Sequence, residues 1–143
     1  MFMGEYQHSL DEKGRLIVPA KFRDALGESF ILTRGLDNCL YGYPHSEWKM
    51  IEEKIKQLPT NNPETRAFVR LFFSGAVEAE LDKQGRIVIP QQLREHASIE
   101  KDVYVIGVST KIEVWSKENW EKYSMETQQS YEGFAQSIAN LGI

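Results

Sequence analysis

Apolar and polar residues alternate with period two from Tyr6 to Leu10, the pattern of a strand with one buried face. Asp11 to Gly14 reads as a turn, because an Asp side chain bonds the backbone two residues on and Gly accepts positive φ. Arg15 to Val18 predicts a short return strand, stopped by Pro19, which has no N–H to give a ladder. Ala20 to Leu26 predicts one or two helical turns closed by Gly27. Phe30 to Thr33 is an apolar run of strand length, Gly35 to Asn38 a turn, and Cys39 to Tyr43 the pairing strand. From Pro44 the period becomes helical: Trp48, Ile51, Ile55 and Leu58 share one face, and Pro59 ends it. Asn62, Pro63 and Glu64 predict an N-cap, a first-turn proline and a first-turn acid for a helix reaching Phe73. With Phe68, Val69, Leu71, Phe72 and Phe73, that helix is apolar over most of its circumference and is expected in the interior.

The order then repeats. Val77, Ala79 and Leu81 alternate, Asp82 to Gly85 turns, and Arg86 to Ile89 returns to Pro90. Val103 to Ile106 is expected to pair with Ile112 to Trp115 through a turn at Ser109-Thr110. A closing helix carries Trp120 and Tyr123, then Tyr131, Phe134, Ile138 and Leu141, a stripe that needs a partner surface. The repetition extends to single residues. LDEKGRLIVPAKFR at 10–23 matches LDKQGRIVIPQQLR at 81–94 without a gap, and a self-match at fixed spacing is the mark of a duplicated unit. Leu10, Asp11, Gly14, Arg15, Pro19 and Arg23 recur as Leu81, Asp82, Gly85, Arg86, Pro90 and Arg94. With one residue inserted near position 98, Gly35 aligns with Gly107, Leu40 with Ile112, Tyr43 with Trp115 and Trp48 with Trp120. A unit of about 70 residues has trouble burying enough apolar surface alone, so the two copies are expected to share one core.

Composition sets the class. A chain of 143 residues, 41% hydrophobic and 27% charged, suits one globular domain. No apolar run is long enough to span a bilayer, and the N-terminus lacks a secretory pattern, so a cytoplasmic protein without a membrane partner is expected. Cys39 is the only cysteine, which excludes an intramolecular disulfide, and with no basic neighbour it reads as an inert buried thiol. His8, His45 and His96 are scattered without metal-site spacing. No glycine-rich phosphate loop or nucleophile elbow is present, so neither an enzyme, a cofactor nor a small-molecule substrate is expected. The net charge of −4 is not that of a basic nucleic-acid binder, yet Lys13, Arg15, Lys21 and Arg23 gather around the repeated motif.

The repeated Asp-x-x-Gly-Arg turn admits two readings. In one, Asp caps the turn and pairs with Arg as a structural device. In the other, each tip projects Lys, Arg and backbone N–H groups toward phosphates, with Asp orienting Arg for guanine O6 and N7 in the major groove.

The opening MFMGEYQHSLDEKGRLIVPAKFR, the segments LTRGLDNCLYGYP and FFSGAVEAELDKQGRIVIP, and Trp-Ser-Lys at 115–117 together resemble the MraZ family of bacterial transcriptional regulators. The resemblance runs from Met1 to about Trp120, and its specific mark is the pair Asp11/Arg15 and Asp82/Arg86. It implies an α+β fold in which two tandem SpoVT/AbrB-like halves form a pseudo-twofold swapped-hairpin β-barrel with flanking helices. The halves would be 1–60 and 77–143, joined by a buried helix at 61–76. It further implies a ring-shaped homo-oligomer, nucleoid-associated, that binds double-stranded DNA at short G-rich direct repeats upstream of its own division and cell wall operon, as a repressor. The DNA-facing residues would be Asp11, Lys13, Gly14 and Arg15 in one loop, and Asp82, Lys83, Gln84, Gly85 and Arg86 in the other. Glu12 stands where the second copy has Lys83, and Lys13 where it has Gln84, so the two loops are chemically unequal. Two alternatives remain open: an assembly module whose loops are structural, and an antitoxin-like partner that binds a protein through its C-terminal helix. Against the latter, such antitoxins carry the motif once per chain.

Overall fold

The computed structural model describes residues 1–143. The first copy contributes β1 (Phe2–Ser9), β2 (Arg15–Ile17), α1 (Ala20–Leu26), β3 (Ser29–Arg34), β4 (Leu40–Tyr43) and α2 (His45–Lys56). After α3 (Pro63–Ser74) the second contributes β5 (Val77–Glu80), β6 (Arg86–Val88), α4 (Gln91–His96), β7 (Asp102–Ser109), β8 (Lys111–Ser116) and α5 (Lys117–Gln128). A short α6 (Tyr131–Ser137) follows, so the expected single closing helix breaks around Gln129 and Ser130.

Local signals set the helix bounds. Gly27 closes α1 at φ 84, its N–H donating to the Arg23 carbonyl. Asn62 caps α3, its side-chain oxygen accepting the Glu64 N–H at 2.8 Å, with Pro63 in the first turn, where its missing N–H costs nothing.

Two expected hairpins form, β3 with β4 and β7 with β8, but the strands flanking the two Asp-Gly turns do not pair as expected. Leu10, just beyond β1, makes only an isolated bridge to Leu16 of β2. β1 instead pairs along its length with β7 of the second copy, and β5 pairs with β3 of the first. The result is one antiparallel six-stranded sheet in the order β1-β7-β8-β4-β3-β5. This sheet is open, with β1 and β5 at its edges, and does not close into the expected barrel. The chain leaving each edge strand enters β2 or β6, and these two pair with each other in a separate ribbon.

The shared core is as expected. Nineteen buried residues from both copies form one cluster, in which Phe22, Phe30, Leu32, Leu93, Val103 and Val105 are almost fully enclosed. Leu16 and Ile87, the same position in the two motifs, face each other across the β2–β6 ribbon at 1% and 2% exposure. Burying each contributes about 1.5–3 kcal/mol, and the pair locks the copies together.

The repeat alignment holds at its aromatic positions. Tyr43 lies 5.7 Å from Trp48, and Trp115 lies 5.2 Å from Trp120, ring centre to ring centre. It fails at Gly35. Leu40 pairs with Arg34, while its counterpart Ile112 pairs with Gly107, so Arg34 is the structural equivalent of Gly107. Gly35 stands just outside β3, its N–H closing the turn on the Cys39 carbonyl at 2.7 Å.

The connecting helix is also corrected. Only Phe72 of α3 is buried; it stacks on Trp48, and its carbonyl accepts the Thr33 hydroxyl at 2.6 Å. Phe68 and Leu71 stand 39% and 55% exposed, because a single chain covers only the side of α3 that meets β3 and α2. The stripe Tyr131, Phe134, Ile138 and Leu141 is likewise uncovered. No helix is long and apolar enough to cross a membrane.

Candidate nucleic-acid interface

Each repeated turn is built by its Asp. Asp11 Oδ1 accepts the N–H groups of Lys13 and Arg15, both at 2.9 Å, and Oδ2 accepts Arg15 Nε at 2.6 Å. The Asp11 carbonyl takes the Gly14 N–H at 3.0 Å, and the Asp11 N–H donates to the Arg15 carbonyl. Asp82 repeats every bond: Gln84 N–H at 2.9 Å, Arg86 N–H at 2.8 Å, and Arg86 Nε at 2.8 Å. Gly14 and Gly85 carry φ of 75° and 77°, a region that disfavours a β-carbon, which explains why glycine stands there. The backbone N–H of Arg15, with the Arg15 side chain adding to it, holds the Asp11 carboxyl below its ordinary pKa, and Arg86 does the same for Asp82. Both carboxylates are therefore ionised and act as acceptors only.

The ribbon brings the two turns side by side. Arg15 pairs with Val88 and Ile17 with Arg86, so one face of the ribbon carries two guanidiniums and two exposed apolar residues while Leu16 and Ile87 point inward. Val18 N–H donates to the Gly85 carbonyl at 2.9 Å, and Ile89 N–H to the Gly14 carbonyl at 3.0 Å, so each copy's strand is tied to the other copy's loop. Arg86 Nη1 lies 4.0 Å from Asp11 Oδ2.

The nine residues singled out in the sequence thus fall in one patch, with different places in it. Lys13, Lys83 and Gln84 are exposed at the tips, and neither lysine makes an ion pair. Arg15 and Arg86 are half-buried, held by their Asp partners. Gly14 and Gly85 are buried beneath the loops and shape them from below. The loops are unequal, as their sequences imply: Gln84 Oε1 accepts Arg86 Nη2 at 3.2 Å, whereas Lys13 gives Arg15 no such support. Sequence reasoning assigned no role to Arg23 and Arg94, which pack against Gly85 and Gly14; their recurrence at the end of each motif was the available signal.

Chemically, the patch presents two Asp-held guanidinium groups, two exposed lysines and a two-stranded antiparallel ribbon, a kind of element that a major groove admits. The fold and this patch define a class: duplicated α+β proteins in which two copies of one Asp-x-x-Gly-Arg turn meet across a local twofold. A family model described as "MraZ protein, putative antitoxin-like" matches twice, over residues 1–71 and 72–139. The chain belongs to the MraZ family. It is similar to the transcriptional regulator MraZ of Acetivibrio thermocellus, 60% identical over 143 residues and 100% of both chains. The same coverage holds for that of Desulfitobacterium hafniense at 59% and of Caldanaerobacter subterraneus subsp. tengcongensis at 60%. These relatives are named as regulators, not as enzymes.

Proposed function

We propose that this protein is a sequence-specific, DNA-binding transcriptional regulator whose reading elements are Asp11–Arg15 and Asp82–Arg86. The observation that carries this reading is the pair of turns, each with its Arg Nε held by its own Asp, set side by side on one ribbon. Asp11 holds the Arg15 guanidinium by Nε alone, so the terminal nitrogens keep the donors that a bidentate guanine contact uses. The names of the relatives support a regulator.

The reading extends to assembly and target. The exchanged pairings β1–β7, β5–β3 and β2–β6 support two SpoVT/AbrB-like halves, 1–60 and 77–143 around 61–76, in a swapped-hairpin arrangement. One patch makes few phosphate contacts and the chain is acidic, so affinity would come from several copies in a ring engaging successive direct repeats. Cytoplasmic, nucleoid-associated repression of its own division and cell wall operon follows from that reading.

The test is fluorescence anisotropy on the DNA upstream of the protein's own gene, titrated with salt. Arg15→Ala/Arg86→Ala, confirmed by light scattering to remain assembled, is expected to lose specific binding and show a shallower log–log salt slope. Equal binding by variant and wild type, or no upstream binding at all, would make the loops structural and leave an assembly module.

A further inference from the structure

Arg23 and Arg94 close the two copies of the motif, yet each packs on the copy to which it does not belong. A β-carbon on Gly85 would stand 2.6 Å from Arg23 Nε and 2.7 Å from Arg23 Nη2. One on Gly14 would stand 3.1 Å from Arg94 Nη1 and 3.2 Å from its Cζ. The space that a side chain would take at either loop glycine is therefore filled by the guanidinium of the opposite repeat. Those glycines immediately precede Arg15 and Arg86, so whatever holds the glycine sets where the next residue starts.

The two buttresses differ. Arg23 Nε donates to the Val18 carbonyl at 2.9 Å, and Val18 N–H donates to the Gly85 carbonyl at 2.9 Å, which closes a circuit from the guanidinium to the loop it supports. Arg94 Nε is buried without an acceptor, although Ile89 N–H makes the equivalent bond to Gly14. A buried donor left unpaired weakens its support.

We propose that Arg23 and Arg94 are positioning residues, each holding the DNA-reading loop of the other repeat, with the Arg86 loop held more firmly than the Arg15 loop. The consequence for DNA rests on the function proposed above; the reciprocal support of the loops does not. They act through Gly85 and Gly14 and touch no phosphate. Neither half then carries a complete loop by itself.

The test is amide hydrogen exchange on the full chain, followed by DNA anisotropy. Arg23→Ala is expected to speed exchange at Gly85 and Arg86 about tenfold through local opening, leaving Gly14 and Arg15 near wild type. Arg94→Ala is expected to do the reverse, by a smaller factor. Both variants should weaken DNA binding at an unchanged salt slope, whereas loss of a direct phosphate contact lowers the slope by about 1. Exchange that rises in the variant's own repeat, or equally in both loops, overturns the inference, and so does a fallen slope. Should Arg23→Ala not fold, Arg23→Lys keeps the charge without the planar fork and is expected to give the same loop-selective exchange; wild-type exchange in that variant would reject the buttress. If Arg15→Ala/Arg86→Ala leaves DNA binding intact, the DNA reading fails, while the exchange pattern still decides the buttress.

Discussion

Arg86 Nη1 stands 4.0 Å from Asp11 Oδ2, while Arg86 Nε is held by Asp82 at 2.8 Å, so one guanidinium faces the carboxylates of both repeats. Within the patch two Asp charges offset two Arg charges. On the DNA-binding reading proposed above, the patch would offer a duplex orientation more than net charge, and Lys13 and Lys83, which make no ion pair, would supply the long-range attraction.

Asp82 has two separable tasks, and Asp82→Asn divides them. The amide oxygen can still accept the N–H groups of Gln84 and Arg86, but the amide nitrogen cannot accept Arg86 Nε. We expect a modestly lowered melting temperature with weakened DNA binding for Asp82→Asn, and a larger fall in both for Asp82→Ala. Thermal unfolding by circular dichroism and anisotropy on one DNA would read the two.

The same carboxylates set an acid dependence. Their folded pKa values lie below the ordinary carboxylate value, so as pH falls the unfolded chain takes up protons first and stability drops. Their contribution is whole above about pH 5 and gone once the pH has passed below the folded values. The urea midpoint gap between wild type and Asp11→Asn/Asp82→Asn should therefore narrow as pH is lowered through that window. A gap that stays constant would mean the turns contribute no ionised carboxylate to the fold.

Leu16 and Ile87 seal the ribbon from below. Leu16→Ala is expected to cost about 2–5 kcal/mol, and Ile87→Val about 0.5–1.5 kcal/mol. Because the residues touch across the ribbon, Leu16→Ala/Ile87→Ala should differ from the sum of its parts, measurable by urea unfolding.

Phe68 and Leu71 leave an apolar face on α3 that the chain does not cover. If that face is buried between copies, Phe68→Asp/Leu71→Asp lowers the assembled mass in multi-angle light scattering while circular dichroism stays that of the wild type. Unchanged mass would place the assembly contact elsewhere.

The duplication, the α1 and α3 boundaries and the two Asp-Gly turns were legible because their causes are local. Asp bonds its own loop, Gly tolerates positive φ, and Pro and Asn mark helix starts within a few residues. The apolar content of α3 was legible too, but not which of its sides another element would cover, since that depends on where β3 and α2 stand. Partner choice was decided by tertiary structure. Three-residue strands such as β2 and β6 carry too little pattern to select a neighbour, and each could have paired within its own repeat. Leu16 and Ile87 settle the matter by burying against each other, and that contact sets Arg15 beside Arg86, Arg23 under Gly85 and Arg94 under Gly14. The sequence by itself determined two copies of one loop; only the packing of one copy on the other made them a single surface, because neither copy has enough apolar area to bury alone.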